Sequence, residues 1–198
     1  MIPQIEQTMY QLSDLFMAPV LCLIAILFIY SLIASGQFFT QTVQRRRNYI
    51  AFLKLINNKQ LGSQLYLKLN GYPLADLANQ LTQVTPDQLD VAALKELETV
   101  RNVSRLAPML GLIATMIPMG PALKSLADGN IQGISENLIV AFSAVIFGLV
   151  IAAITFWIAA IKKRWLAEEL VALMPLIKQQ QQAVAAKVYP KGHNYAAA

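Results

Sequence analysis

Apolar positions along the chain fall into three long blocks, each fenced by charge. The first runs from Leu15 to Phe39, inside a charge-free stretch between Asp14 and Arg45. The second, Leu106 to Leu123, lies between Arg105 and Lys124, and the third, Asn137 to Ile161, between Glu136 and Lys162. A helix needs about 20 mostly apolar residues to cross the hydrocarbon core, where its own hydrogen bonds satisfy its backbone. The pattern predicts three transmembrane helices, at 15–39, 106–123 and 137–161, and leaves no room for a fourth. Glu6 and Asp14 precede the first block where a signal peptide would carry basic residues, so that block is expected to stay as a permanent span.

Between the blocks the pattern turns polar. The 45–105 loop reads as helices interrupted at Asn70-Gly71-Tyr72-Pro73. Its second half opens on Thr85-Pro86-Asp87-Gln88, a capping box with proline at the first helical position. Leu89, Ala93, Leu97, Val100 and Ser104 then recur at helical spacing, which predicts one helix continuing into the second span; two helices kinked near Pro108 are the alternative. Spans two and three are joined by a short connection, 124–136, turning at Asp128-Gly129-Asn130, and should form an antiparallel hairpin. Ser135 is read as the cap of the third helix, with Glu136 in its first turn. The tail, 162–198, is expected to fray beyond Pro175 and the run Lys178-Gln179-Gln180-Gln181-Gln182.

Composition agrees with a single all-α integral membrane domain, since 56% of the 198 residues are hydrophobic and 14% charged. Charge sets the orientation. Fifteen of the 16 Lys and Arg residues lie in 45–105 or after residue 161, Lys124 being the exception. Basic residues stay on the cytoplasmic side of short loops, so residues 1–14 and the 124–136 turn are expected in the periplasm, and the loop and tail in the cytoplasm. This asymmetry accounts for the net charge of +5 without any nucleic acid. Tyr10, Phe16, Phe38, Phe39 and Trp165 fall near the expected boundaries. One histidine, His193 in the tail, and one cysteine, Cys22 within the first span, assemble neither a metal site nor a nucleophile with its base. We expect no cofactor and no enzymatic activity.

Candidate chemistry concentrates on the hairpin. Gly111, Thr115, Pro118 and Ala122 on span two recur every three or four residues, as do Asn137, Ala141, Ala144, Gly148, Ala152 and Thr155 on span three. Such spacing lets helix backbones approach closely in lipid. Thr115 and Ser143 both fall about 12–14 Å below the outer boundary and so could ring a pathway, although an intramembrane hydroxyl also commonly bonds its own backbone. Glu136 could receive a cation at a pore mouth or serve only the helix dipole. Pro108, Pro118 and Pro121, with Gly111 and Gly120 among them, suggest a helix that lines an interior.

The run Arg101-Asn-Val-Ser-Arg-Leu-Ala-Pro-Met-Leu-Gly-Leu-Ile-Ala-Thr115-Met-Ile-Pro resembles the signature of the MotA/TolQ/ExbB proton-channel family. Ile134-Ser-Glu136-Asn-Leu-Ile-Val-Ala-Phe, with Gly148-Leu149, is similar to that family's last span. The resemblance implies a homopentamer whose second and third spans enclose the single spans of two partner chains of the ExbD/TolR/MotB type. Ion flow past a partner Asp would then drive rotation, and the chain would be the pore-forming stator subunit of a bacterial inner-membrane motor. By position, Thr115 matches the family's pore-facing threonine and Glu136 the glutamate that opens the last span. In the three-span ExbB and TolQ branch a threonine falls five residues after that glutamate, whereas Ala141 stands here. Gly148-Leu149 come a turn late, and counting back from Gly148 gives Val145. Ser143 is the nearest hydroxyl and is nominated in the threonine's place, which marks a divergent branch. Hydroxyls suit H+ or Na+ alike. The spans carry no ionisable group at mid-depth, so a partner must supply one. A transporter subunit and a structural membrane scaffold are the competing readings.

Overall fold

The computed structural model describes the backbone of residues 2–57, 69–80 and 84–188, and side-chain surroundings within 15–182 of these. All regular structure among the described residues is helical: α1 (Ile2–Asn57), α2 (Pro73–Gln80), α3 (Pro86–Ala127) and α4 (Ile131–Val188). Three of these helices, α1, α3 and α4, are long and apolar enough to cross a membrane. The chain is thus an all-α, multi-pass membrane protein. It packs as two compact units, Met1–Phe38 with Glu98–Ala160, and Phe39–Leu97 with Ile161–Ala198.

Local chemistry explains where the helices begin and end. The capping box at α3 is formed in both directions: the Gln88 amide donates to Thr85 Oγ1 at 3.3 Å and the Thr85 amide to Gln88 Oε1 at 3.2 Å. From there α3 runs as one helix through Pro108, Pro118 and Pro121 rather than as two. It stops in a Schellman motif, in which the Asn130 amide reaches Ser125 O at 2.8 Å and the Gly129 amide reaches Leu126 O at 3.1 Å. Gly129 has the left-handed φ of 68° that this ending requires.

Two expectations about α4 need correction. The helix starts at Ile131, not after Ser135, because Asn130 Oδ1 accepts the Gly133 amide at 3.0 Å and caps it there. Ser135 Oγ instead donates back to Ile131 O, and Glu136 lies beyond the first turn. At the other end α4 continues through Pro175 and the glutamine run to Val188 rather than fraying. Leu173, Leu176 and Ile177 are buried and anchor this stretch. His193 and the rest of 189–198 lie outside the described residues.

The first unit packs α1, α3 and α4 through one narrow face each. Val20 and Ile24 of α1 meet Val103, Ala107 and Ala114 of α3 and Ala144 and Ile151 of α4. Phe28 sets its ring edge-on to Phe147 at 5.2 Å. The second unit has its own core, in which Phe52, Tyr72, Leu74, Leu89, Leu166, Leu173 and Ile177 are buried together.

That second core contains a buried charge. Glu169 of α4 has 0% exposure, and its carboxylate accepts hydrogen bonds from the Leu74 amide at 3.1 Å and from the Ala75 amide. Tyr72 precedes α2 and offers no cap, so Glu169 caps that helix from a distance of 95 residues in sequence. Arg45 of α1 donates to Glu169 Oε1 and to Trp165 O, with its guanidinium 4.4 Å from the Tyr72 ring centre and 5.2 Å from that of Trp165. Burial pushes the Glu169 carboxyl above its ordinary range, against the downward pull of Arg45 and the two amides. Gly71, at φ 98°, passes so close to α1 that a Cβ would stand 2.8 Å from the Arg45 backbone nitrogen. Removing one partner of a buried pair strands the other, so Glu169→Ala is expected to cost about 3–5 kcal/mol. Replacing Arg45 and Glu169 together by leucine should cost less than the two single replacements summed, as read by thermal unfolding in detergent. Strict additivity would show that the two side chains do not act as a pair.

Candidate functional site

The hairpin of α3 and α4 is built around a backbone-to-backbone contact. A Cβ added at Gly148 would stand 2.8 Å from Ala107 O and 3.1 Å from Gly111 Cα. One added at Gly111 would stand 3.4 Å from Val145 Cα. Ala107, Gly111, Ala114, Pro118 and Ala122 form the buried edge of α3 here, and Ala141, Ala144, Gly148, Ile151 and Thr155 that of α4. Gly111 and Gly148 on these edges bring the two helices together where lipid provides no hydrophobic drive. Asn137, half-buried at the start of that edge, donates to Gly133 O at 2.8 Å. Gly120 is exposed, and nothing lies within 4 Å of a Cβ placed on it.

The candidate ion-pathway residues sit off this edge. Thr115 is half-buried, one position along from the buried Ala114, and its hydroxyl donates to Leu112 O at 2.6 Å. Ser143 is exposed, next to the buried Ala144. Glu136 is exposed and accepts a hydrogen bond from Gln132 at 3.0 Å. Seven residues separate Glu136 from Ser143, which places them on one face of α4 about 10 Å apart along its axis. No described hydrogen bond joins Thr115 to Ser143; both are presented to the surface of the single chain.

The two counts that sought a threonine on α4 end inside the packing. Ala141 is 3% exposed, and Val145 is half-buried with its Cα near Gly111. Thr155, the intramembrane threonine of α4, is fully buried and donates to Ile151 O at 2.7 Å. Among the described residues, no group of three His, Cys, Asp or Glu side chains is placed to hold a metal ion. Sequence reasoning passed over the Arg45 and Glu169 pair, having read Arg45 only as the charge that closes the first apolar stretch. Nothing periodic links residues 124 positions apart.

The family model described as the MotA/TolQ/ExbB proton channel family matches residues 69–175. Comparison with curated proteins and with solved structures gave no match.

Gly148→Val is expected to force α3 and α4 apart and to lower stability by about 1–3 kcal/mol through overpacking. Ser143→Ala, on an exposed position, should change stability by no more than about 0.5 kcal/mol. Thermal unfolding of the detergent-purified variants separates the two classes, and a large loss in Ser143→Ala would assign that hydroxyl to packing.

Proposed function

The chain belongs to the MotA/TolQ/ExbB proton channel family, and from that premise we propose that it is the pore-forming stator subunit of a motor driven by ion flow across the bacterial inner membrane. The observation that carries the proposal is the family match over 69–175, which takes in α3 and most of α4. The distribution of charge supports it. A device powered by the membrane potential gains about 2.3 kcal/mol per elementary charge per 100 mV, and some group at mid-depth must handle that charge. Between Asp14 and Arg45, Arg105 and Lys124, and Glu136 and Lys162 the chain has no Asp, Glu, Lys or Arg. It supplies the wall of a pathway and leaves the titrating group to another chain.

In this reading five copies enclose the single spans of two partner chains of the ExbD/TolR/MotB kind, each bringing an Asp into the membrane. The N-terminus lies outside and the second unit in the cytoplasm, as the basic residues after spans one and three favour. Thr115 and Ser143 border the path, and Glu136 stands at its outer mouth. The protein holds no resident cofactor. Protons or sodium ions are its cargo, and the partner's outer part sets the work performed.

Thr115→Val combined with Ser143→Ala is expected to abolish ion-driven work in cells while native mass spectrometry still finds five copies with two of the partner. Full ion-driven function in this variant would remove both residues from the pathway. A stable monomer or dimer of the unmodified protein would overturn the assembly and favour a transporter subunit.

A further inference from the structure

In the second unit, α1 and α3 each turn an apolar face away from the core. On α1 Phe52 points inward and is buried, while Val43, Ile50 and Leu53 are exposed. On α3 Leu89 is buried, while Val91 and Leu94 are 63% and 62% exposed. Lipid covers such residues within a span, but these lie beyond one. Counting from Phe39 along α1 puts Ile50 and Leu53 about 16–21 Å past the apolar block, and counting from Leu106 back along α3 puts Leu94 and Val91 about 18–22 Å past theirs. Both faces therefore lie past the apolar blocks. Their shared level follows from α4: Glu96 pairs with Lys162, while Arg45 reaches Trp165 and Glu169, three to seven residues further along α4 and so level with residues 89–93 of the antiparallel α3. Apolar faces of this kind in water mark an interaction surface.

Flanking charge identifies the occupant. Around the α1 face stand Arg46, Arg47 and Lys54, all exposed. Around the α3 face stand Asp87 and Asp90, with Lys95 as the lone cation, all likewise exposed. Among the described residues the ion pairs of this unit use Arg45, Lys162, Arg164, Glu96, Glu168 and Glu169, so no described ion pair takes up any of these flanking charges.

We infer that the α1 face of one copy docks on the α3 face of a second copy of this chain, Val43, Ile50 and Leu53 against Val91 and Leu94, with Arg46 and Arg47 opposite Asp87 and Asp90. The contact rests on the proposed assembly only for the number of copies. It joins two different faces, so each copy has one face for each neighbour, and a contact of this type closes into a ring when its rotation permits. A two-fold pairing of the α1 face with itself would bring Arg46 and Arg47 against their own copies.

The test is disulfide trapping in membranes of full-length chain in which Cys22→Ser removes the native thiol. Chains carrying both Ile50→Cys and Val91→Cys are expected to give an oxidised ladder from dimer upward, and chains carrying either alone to stay monomeric on the gel. In the two-cysteine chain, Arg46→Glu with Arg47→Glu should lower the yield about tenfold, and adding Asp87→Lys with Asp90→Lys should restore it. If the two-cysteine chain gives no ladder while native mass spectrometry still finds the oligomer, this contact is wrong and the assembly stands. Dimers from either single-cysteine chain overturn the two-face arrangement. Charge reversal that weakens the ladder without rescue assigns Arg46 and Arg47 to anionic lipid headgroups and overturns the proposed pairing. A monomeric unmodified protein overturns the contact and the assembly together.

Discussion

The approach of two helix backbones at Gly148 decides how the first unit is built. Lipid tails are as apolar as leucine, so helices in a bilayer gain little by hiding apolar side chains from one another and must associate through close contact instead. At Gly148 that contact is backbone against backbone, with Ala107 O and Gly111 on the facing side. Giving one edge of each helix to small residues sends the large ones to the other edges, where Leu112, Met116, Phe142 and Ile146 stand exposed. Thr115 and Ser143 fall at the margins between these edges, each beside a buried alanine. Their placement follows from the packing of the hairpin, before any role in ion movement is considered.

The second unit solves a different problem. Its helix α2 has eight residues, too few to be stable alone, and begins after a tyrosine rather than a capping residue. Glu169 supplies the missing acceptor and Arg45 the counter-charge, so α1, α2 and α4 meet at one carboxylate. A buried ion pair contributes little net stability relative to well-packed apolar groups. What it contributes here is position, because α2 satisfies its first amides only where Glu169 lies. Arg45 is spent on this junction, while its neighbours Arg46 and Arg47 remain exposed.

Much of this organisation was legible in the sequence because it depends on local chemistry. The three spans follow from apolar length, the start of α3 from Thr85 and Gln88, and its end from Asp128-Gly129-Asn130. The errors fall where one residue serves two purposes or where distant residues combine. Asn130 both ends α3 and caps α4, so the later Ser135 was mistaken for the cap. Pro175 resembles a stop, but burial of Leu173, Leu176 and Ile177 holds the helix together around it. The pairing of Arg45 with Glu169 has no local signature at all. On the hairpin the small-residue edge could be read from its spacing, whereas spacing could not separate Thr155, sealed in the packing, from Ser143, which is open.

Hydrogen bonding at Thr115 limits what that residue can offer in the proposed pathway. Its proton is committed to the Leu112 carbonyl at 2.6 Å, so the hydroxyl oxygen has only lone pairs left to present. In the proposed pathway it therefore acts as an acceptor, suited to a cation or to a water that donates, and it stabilises no anion. An acceptor without charge binds a cation weakly, and weak binding suits a site that an ion must leave as readily as it enters. A carboxylate fixed on this helix would instead hold its ion at one place in the membrane. In the proposed assembly a neutral wall leaves the charge on the partner helix, whose movement past successive copies is then the movement that ion binding and release would drive.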